Sequence, residues 1–179
     1  MKSKSPQDPY LIVIQDFNRK GVKYVIVGMS GINFYAKDAR DTFSTLDYDF
    51  FLEPFLSNVK KTIEVLKKLG FTLGTSKGLL DPADLREVVR EQQTIMATTS
   101  DGLMIELLLA VSGYPFSELA RDTATFTVQG VPVRVGKLSK LLRSKRLADR
   151  PKDRQFLKRY GNLFEEEERN ESRTRSEET

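Results

Sequence analysis

Residues 45–54 read TLDYDFFLEP, and no other stretch restricts the fold as strongly. Side chains alternate across a strand, so Asp47 and Asp49 project from one face while Leu46, Tyr48, Phe50 and Leu52 take the other. The apolar set needs a core behind the strand. The carboxylates cannot follow it there, because a desolvated charge is costly unless something pairs with it. Two like charges at this spacing also raise each other's pKa. The strand therefore opens either into solvent or onto a cation. Mg2+ (or Mn2+) suits the second case, since a hard ion takes one or two protein carboxylates and completes its shell with water and phosphate oxygens.

Composition narrows the chemistry further. The chain has no cysteine and no histidine. That excludes disulfides, thiolate nucleophiles, His-based zinc sites and Ser-His-Asp triads. Any catalysis rests on carboxylates, lysine, arginine, hydroxyls, backbone groups or a hard metal. The net charge of +4 conceals an asymmetry. Residues 164–179 hold seven Glu against three Arg, or −4, which leaves 26 basic and 18 acidic side chains, or +8, in residues 1–163. A basic body fits an anionic partner, although solvated lysines kept for solubility give the same count. The start MKSKSPQDPY lacks the apolar core of a secretion signal, and no stretch approaches a membrane span, so a cytoplasmic location without membrane contact is expected.

The chain divides into alternating elements. PYLIVIQDFNRK has helical spacing and ends at Gly21; VKYVIVG is a β-branched run ending at Gly28 and reads as a central strand. A helix is expected from Ser30, a strand over TLDYDFFLE, and a helix in LSNVKKTIEVLKKLG with Val59, Ile63, Leu66 and Leu69 on one face. FTLG is a short strand. QTIMATTSDGLMIELLLAV predicts a hairpin about Ser100-Asp101-Gly102, FSELARDT a short helix, and TFTVQGVPVRV a second hairpin turning at Gln129-Gly130. Two helices follow, split at Arg150-Pro151. This order predicts an α+β (α/β-type) domain over residues 1–163, a mixed β-sheet with flanking and C-terminal helices. Residues 164–179 lack apolar content and are expected to be a disordered acidic tail.

A third acid joins the pair. Glu106 is the only charge between Leu103 and Val111, inside an apparent core strand. It needs a partner, either a metal shared with Asp47 and Asp49 or a nearby Arg or Lys. Upstream, VIVGMSG runs from a strand through small residues into a helix. There glycine permits close backbone approach, and helix N–H groups can meet a phosphate. Gly28 with Ser30, or Ser30 with Gly31, fills this role.

Together these elements resemble the nucleotidyltransferase superfamily of the DNA polymerase β type. Gly28 and Ser30 match its glycine-serine motif, Asp47 and Asp49 its paired aspartates, and Glu106 its third carboxylate. KRLADRPKDRQFL is similar to the end of small bacterial relatives of the AbiEii toxins of abortive-infection systems, with Lys145, Arg150, Lys152 and Asp153 on the matching positions. The resemblance covers roughly residues 20–160. It implies a nucleotidyltransferase-like fold and transfer of a nucleoside monophosphate from an NTP, ATP among them, to an RNA, protein or small-molecule acceptor. It also implies Mg2+ or Mn2+ on Asp47, Asp49 and Glu106, phosphates held by Gly28 and Ser30, and developing charge neutralised by Lys145. A partner protein in a toxin–antitoxin pair is a further implication. Met29 interrupts the usual glycine-serine pair, and Arg40 stands seven positions before Asp47, where relatives often carry an arginine closer by. Two other readings stay open: a non-catalytic module of the same fold binding nucleotide, RNA or protein, and a basic adaptor whose acids are paired with Arg or Lys.

Overall fold

The structure, a computed structural model, describes residues 8–36 and 47–177. Its first helix, α1 (Pro9–Lys20), starts where the Asp8 side chain accepts the Tyr10 N–H and stops at Gly21, whose φ of 65° is left-handed. Strand β1 (Tyr24–Val27) is buried along its whole length, as expected of a central strand. Helix α2 (Gly28–Asn33) follows at once, two residues earlier than the sequence suggests. After the undescribed residues 37–46, which include Arg40 and Leu46, come β2 (Tyr48–Leu52), α3 (Leu56–Lys68) and β3 (Thr72–Thr75).

The polar stretch after β3 holds more structure than its composition signals: a two-residue strand β4 (Gly78–Leu79), a 3-10 turn and α4 (Leu85–Arg90). The expected hairpin is β5 (Ile95–Thr98) and β6 (Met104–Leu108), and α5 (Phe116–Arg121) follows. The second hairpin is β7 (Ala124–Val128) and β8 (Val131–Val135), turning through positive φ at Gln129 and Gly130. Helices α6 (Leu138–Ala148) and α7 (Pro151–Tyr160) are separated at Arg150 as the proline predicts.

Among the described residues eight strands join one mixed sheet in the order β4-β3-β5-β6-β2-β1-β8-β7. The fold is α+β. Strand β2 lies at its centre, antiparallel to β1 and parallel to β6. Its alternation sorts the two faces: Phe50 packs against Phe17 of α1, while Phe51 packs edge-on to Phe116 of α5. The sheet is thus covered by helices on both sides, and the core runs through it. Among the described residues no helix is long and apolar enough to cross a membrane.

The end of the chain departs from expectation. In place of a disordered tail, Glu165–Glu177 forms a helix, α8. Phe164 just before it is 3% exposed and anchors it to the core. Four glutamates occupy its first turn, where the helix dipole favours negative charge. Ionic contacts with α6 replace the apolar face that the sequence lacks.

One buried side chain ties β1 to β2 outside the ladder. Asn58 accepts the Lys23 N–H at 2.9 Å and donates to the carbonyls of Lys23 at 2.9 Å and Glu53 at 3.1 Å. Asn58→Ala strands these backbone groups and should cost about 1–3 kcal/mol, read as a lower midpoint in chemical denaturation.

Candidate active site

The register of β2 assembles the acids. Asp49 stands opposite Glu106 in the parallel pairing with β6, and opposite Val27 in the antiparallel pairing with β1. Asp47 immediately precedes β2. One carboxylate oxygen from each of Asp47, Asp49 and Glu106 comes within 4.8 Å of the other two, all three side chains being half-buried. Among the described residues Glu106 forms no ion pair with Lys or Arg, and its carboxyl is within hydrogen-bonding reach of Asp47 and Asp49.

Such crowding has an electrostatic signature. Burial, then the charges of Asp47 and Glu106, push the Asp49 carboxyl up to about 8, and the positive charge of Lys145 offsets only part of this. Glu106 is raised as well, first by burial and then by Asp47. Burial and like-charge repulsion thus raise Asp49 and Glu106 together, a cost that a cation held between them would relieve. Three hard oxygen donors in a partly desolvated cluster fit Mg2+ or Mn2+.

The glycine turn adjoins this cluster. Gly28 has a φ of 63°, and a Cβ built there would stand 2.1 Å from Asp49 Oδ2. Glycine is required both by backbone conformation and by the carboxylate's approach. Gly31 has a packing role, since a Cβ there would lie 3.0 Å from the Ile26 carbonyl oxygen and from Leu141 Cδ1. Ser30 takes a position that differs from the phosphate contact expected of its side chain. It is 2% exposed; its hydroxyl donates to the Val27 carbonyl at 2.9 Å and accepts the Asp49 N–H at 3.0 Å. Ser30 therefore fastens the start of β2 to the turn, and its one proton is already committed.

A cleft of about 790 Å³ extends from the acids along the sheet face. Asp47, Asp49, Glu106 and Gly28 line one wall, and Lys145, Arg150 and Lys152 line another. Leu108, Ala110 and Val111 carry the floor away from the charges. Lys145 is buried and held at 3.0 Å from Asp153 Oδ1, 5.3 Å from the centre of the Phe156 ring. Asp153 is 1% exposed and also accepts from Arg150 Nε at 2.7 Å. Burial raises its carboxyl, but hydrogen bonds from Arg150 and Lys145 more than reverse this, so it titrates below the usual range. Gly28, Asp47, Asp49, Glu106 and Lys145 thus meet in one cleft, with Ser30 behind its wall. Leu141 and Ser144, which also line it, carry no signal in the sequence beyond their place on a helix with Lys145.

No family model and no curated protein matches the chain. Among solved structures it is similar to the polyadenylate synthase of Megavirus, at 14% identity and a TM-score of 0.49, covering 89% of this chain and 33% of the viral one. A candidate nucleotidyltransferase from H. pylori is similar at 15% identity and a TM-score of 0.39, over 76% of this chain and 55% of its own. JHP933 from Helicobacter pylori matches at 14% identity and a TM-score of 0.39, over 76% and 53%. The chain spans about a third of the viral protein and just over half of each bacterial one.

Two outcomes test the cluster. The unfolded chain releases the Asp49 proton near pH 4, whereas the folded chain keeps it to about 8, so the unfolded state binds fewer protons across that window. Stability without divalent cation should therefore be greatest below pH ~4 as far as this group is concerned, and should fall as pH rises towards 8. Mg2+ should restore it, and Asp49→Asn should flatten the slope, as followed by thermal melts at stepped pH. Gly28→Ala forces the Asp49 carboxylate aside; calorimetry with Mn2+ should show affinity reduced at least about tenfold in a protein that still unfolds cooperatively.

Proposed function

We propose that this chain is a divalent-cation-dependent nucleotidyltransferase, moving a nucleoside monophosphate from an NTP to an acceptor hydroxyl. The observation that carries the reading is the two-signed cleft, in which three converging carboxylates face Lys145, Arg150 and Lys152. That arrangement suits a substrate carrying both a phosphate chain and its cation. The acceptor oxygen attacks the α-phosphorus, the bond from that phosphorus to the bridging oxygen breaks, and pyrophosphate leaves with the electron pair.

Asp47, Asp49 and Glu106 would hold Mg2+ or Mn2+, which when bound supplies Lewis-acid stabilisation of the phosphoryl oxygens and a more acidic acceptor hydroxyl. The remaining work belongs to the protein. Glu106, the acid on the neighbouring strand, is suited to take the acceptor's proton. Lys145, fixed by Asp153, offers a positioned positive charge to the leaving pyrophosphate. Gly28 lets the Asp49 carboxylate lie against the turn that would hold a phosphate. The Lys145–Asp153–Arg150 ion group at the α6–α7 junction, on the positions that carry the resemblance to AbiEii-like relatives, supports that reading and with it a role in a toxin–antitoxin pair. An RNA or other anionic acceptor fits the basic body of the chain.

Radiolabelled NTPs incubated with Mg2+, total tRNA, protein and small-molecule acceptors should yield one labelled product class. Asp49→Asn should lower its formation by about a hundredfold or more with the fold retained, since ligand loss exceeds the effect of losing an outer-shell partner. Full activity in Asp49→Asn would refute the assignment.

A further inference from the structure

Helix α6 carries Lys145 into the cleft, but it begins without a cap of its own. Lys137 occupies the capping position, and no side chain there bonds the first-turn N–H groups. The missing acceptor comes from α8. Glu171 accepts the Leu138 N–H at 2.9 Å through Oε1 and the Ser139 N–H at 3.0 Å through Oε2. Glu168, three residues earlier on α8, takes Arg146 through both oxygens at 3.2 and 3.4 Å, beside Lys145. The acidic helix therefore grips α6 at both ends, with Phe164 as its apolar anchor.

What α6 holds makes this grip consequential. Leu141 packs on Gly31 of the turn helix, and Leu141, Ser144 and Lys145 all line the cleft. A helix moves as a stiff body, so its axial and rotational setting decides where the Lys145 ammonium stands relative to Asp49. We infer that Glu171, aided by Glu168, is a positioning residue for Lys145: the acidic C-terminal helix clamps α6 and sets the cationic wall of the cleft. Its effect on substrate rests on the proposed nucleotide reading; its effect on Lys145 does not.

The full chain is compared with Glu171→Ala, Glu171→Gln and Glu168→Gln. Three readouts are taken: amide hydrogen exchange of α6, the rate of Lys145 acylation by an amine-reactive reagent read by mass spectrometry, and calorimetric affinity for each of the four NTPs with Mg2+. In Glu171→Ala the Leu138 and Ser139 amides should exchange about fivefold faster, the scale set by a lost helix cap. Lys145 should acylate faster, and any NTP bound by the parent should bind more weakly. Glu171→Gln keeps one acceptor oxygen and should fall between. Unchanged Lys145 acylation in Glu171→Ala overturns the inference, leaving Glu171 a cap alone, and so does undiminished NTP affinity. If Glu171→Ala fails to fold, unchanged acylation in both glutamine variants overturns it instead. If the parent chain binds none of the four NTPs, the nucleotide reading fails, while the acylation rates still decide the clamp.

Discussion

Parallel pairing of β2 with β6 brings Asp49 opposite Glu106, and much of the structure serves the repulsion this creates. The pairing is held by apolar neighbours: Phe50 and Phe51 on one strand and Ile105 and Leu107 on the other are essentially fully buried. Asp49, next to Phe50, and Glu106, between Ile105 and Leu107, are acids that the same register forces together. Burial and mutual repulsion raise the Asp49 and Glu106 carboxyls above their ordinary range. A divalent cation relieves that cost directly, which is why the cluster reads as a binding site.

The opposite wall solves a complementary problem. Lys145 is a buried cation, and burying a charge is costly unless a partner meets it. Asp153, itself buried, pairs with it, and the more exposed Arg150 bonds the same carboxylate from the solvent side. Buried ion groups of this kind contribute little net stability, since desolvation offsets attraction. Their value lies in fixing a charge at one place. The clamp from α8 extends the same logic outward, with Glu171 on the first turn of α6 and Glu168 on Arg146 near its end.

Local pattern made several parts of this legible. Alternation in TLDYDFFLEP placed both aspartates on one face, and the single acid in LMIELLLAV marked Glu106. Turn signals at Ser100-Asp101-Gly102 and Gln129-Gly130 marked both hairpins, and Pro151 marked the start of α7. Composition misled at the two polar stretches. The segment after β3 folds into β4 and α4 on the strength of a few anchors such as Leu85 and Val88. The glutamate-rich end is helical because its partners lie on α6, some thirty residues away in sequence. Ser30 was singled out by a motif, yet motif position says nothing about which way a hydroxyl points; here it bonds backwards, to Val27 and Asp49.

By itself the sequence determined the side-chain chemistry available to this protein: carboxylates, lysines, arginines and hydroxyls, with neither thiol nor imidazole. It also determined which acids share a face, because a strand's period of two is a local property of the backbone. Tertiary structure alone decided that β6 lies beside β2, that Gly28 makes room for the Asp49 carboxylate, and that a distant glutamate caps the helix bearing Lys145. These depend on register and on contacts between residues far apart in the chain, where the energy of packing, and no local preference, selects the neighbour.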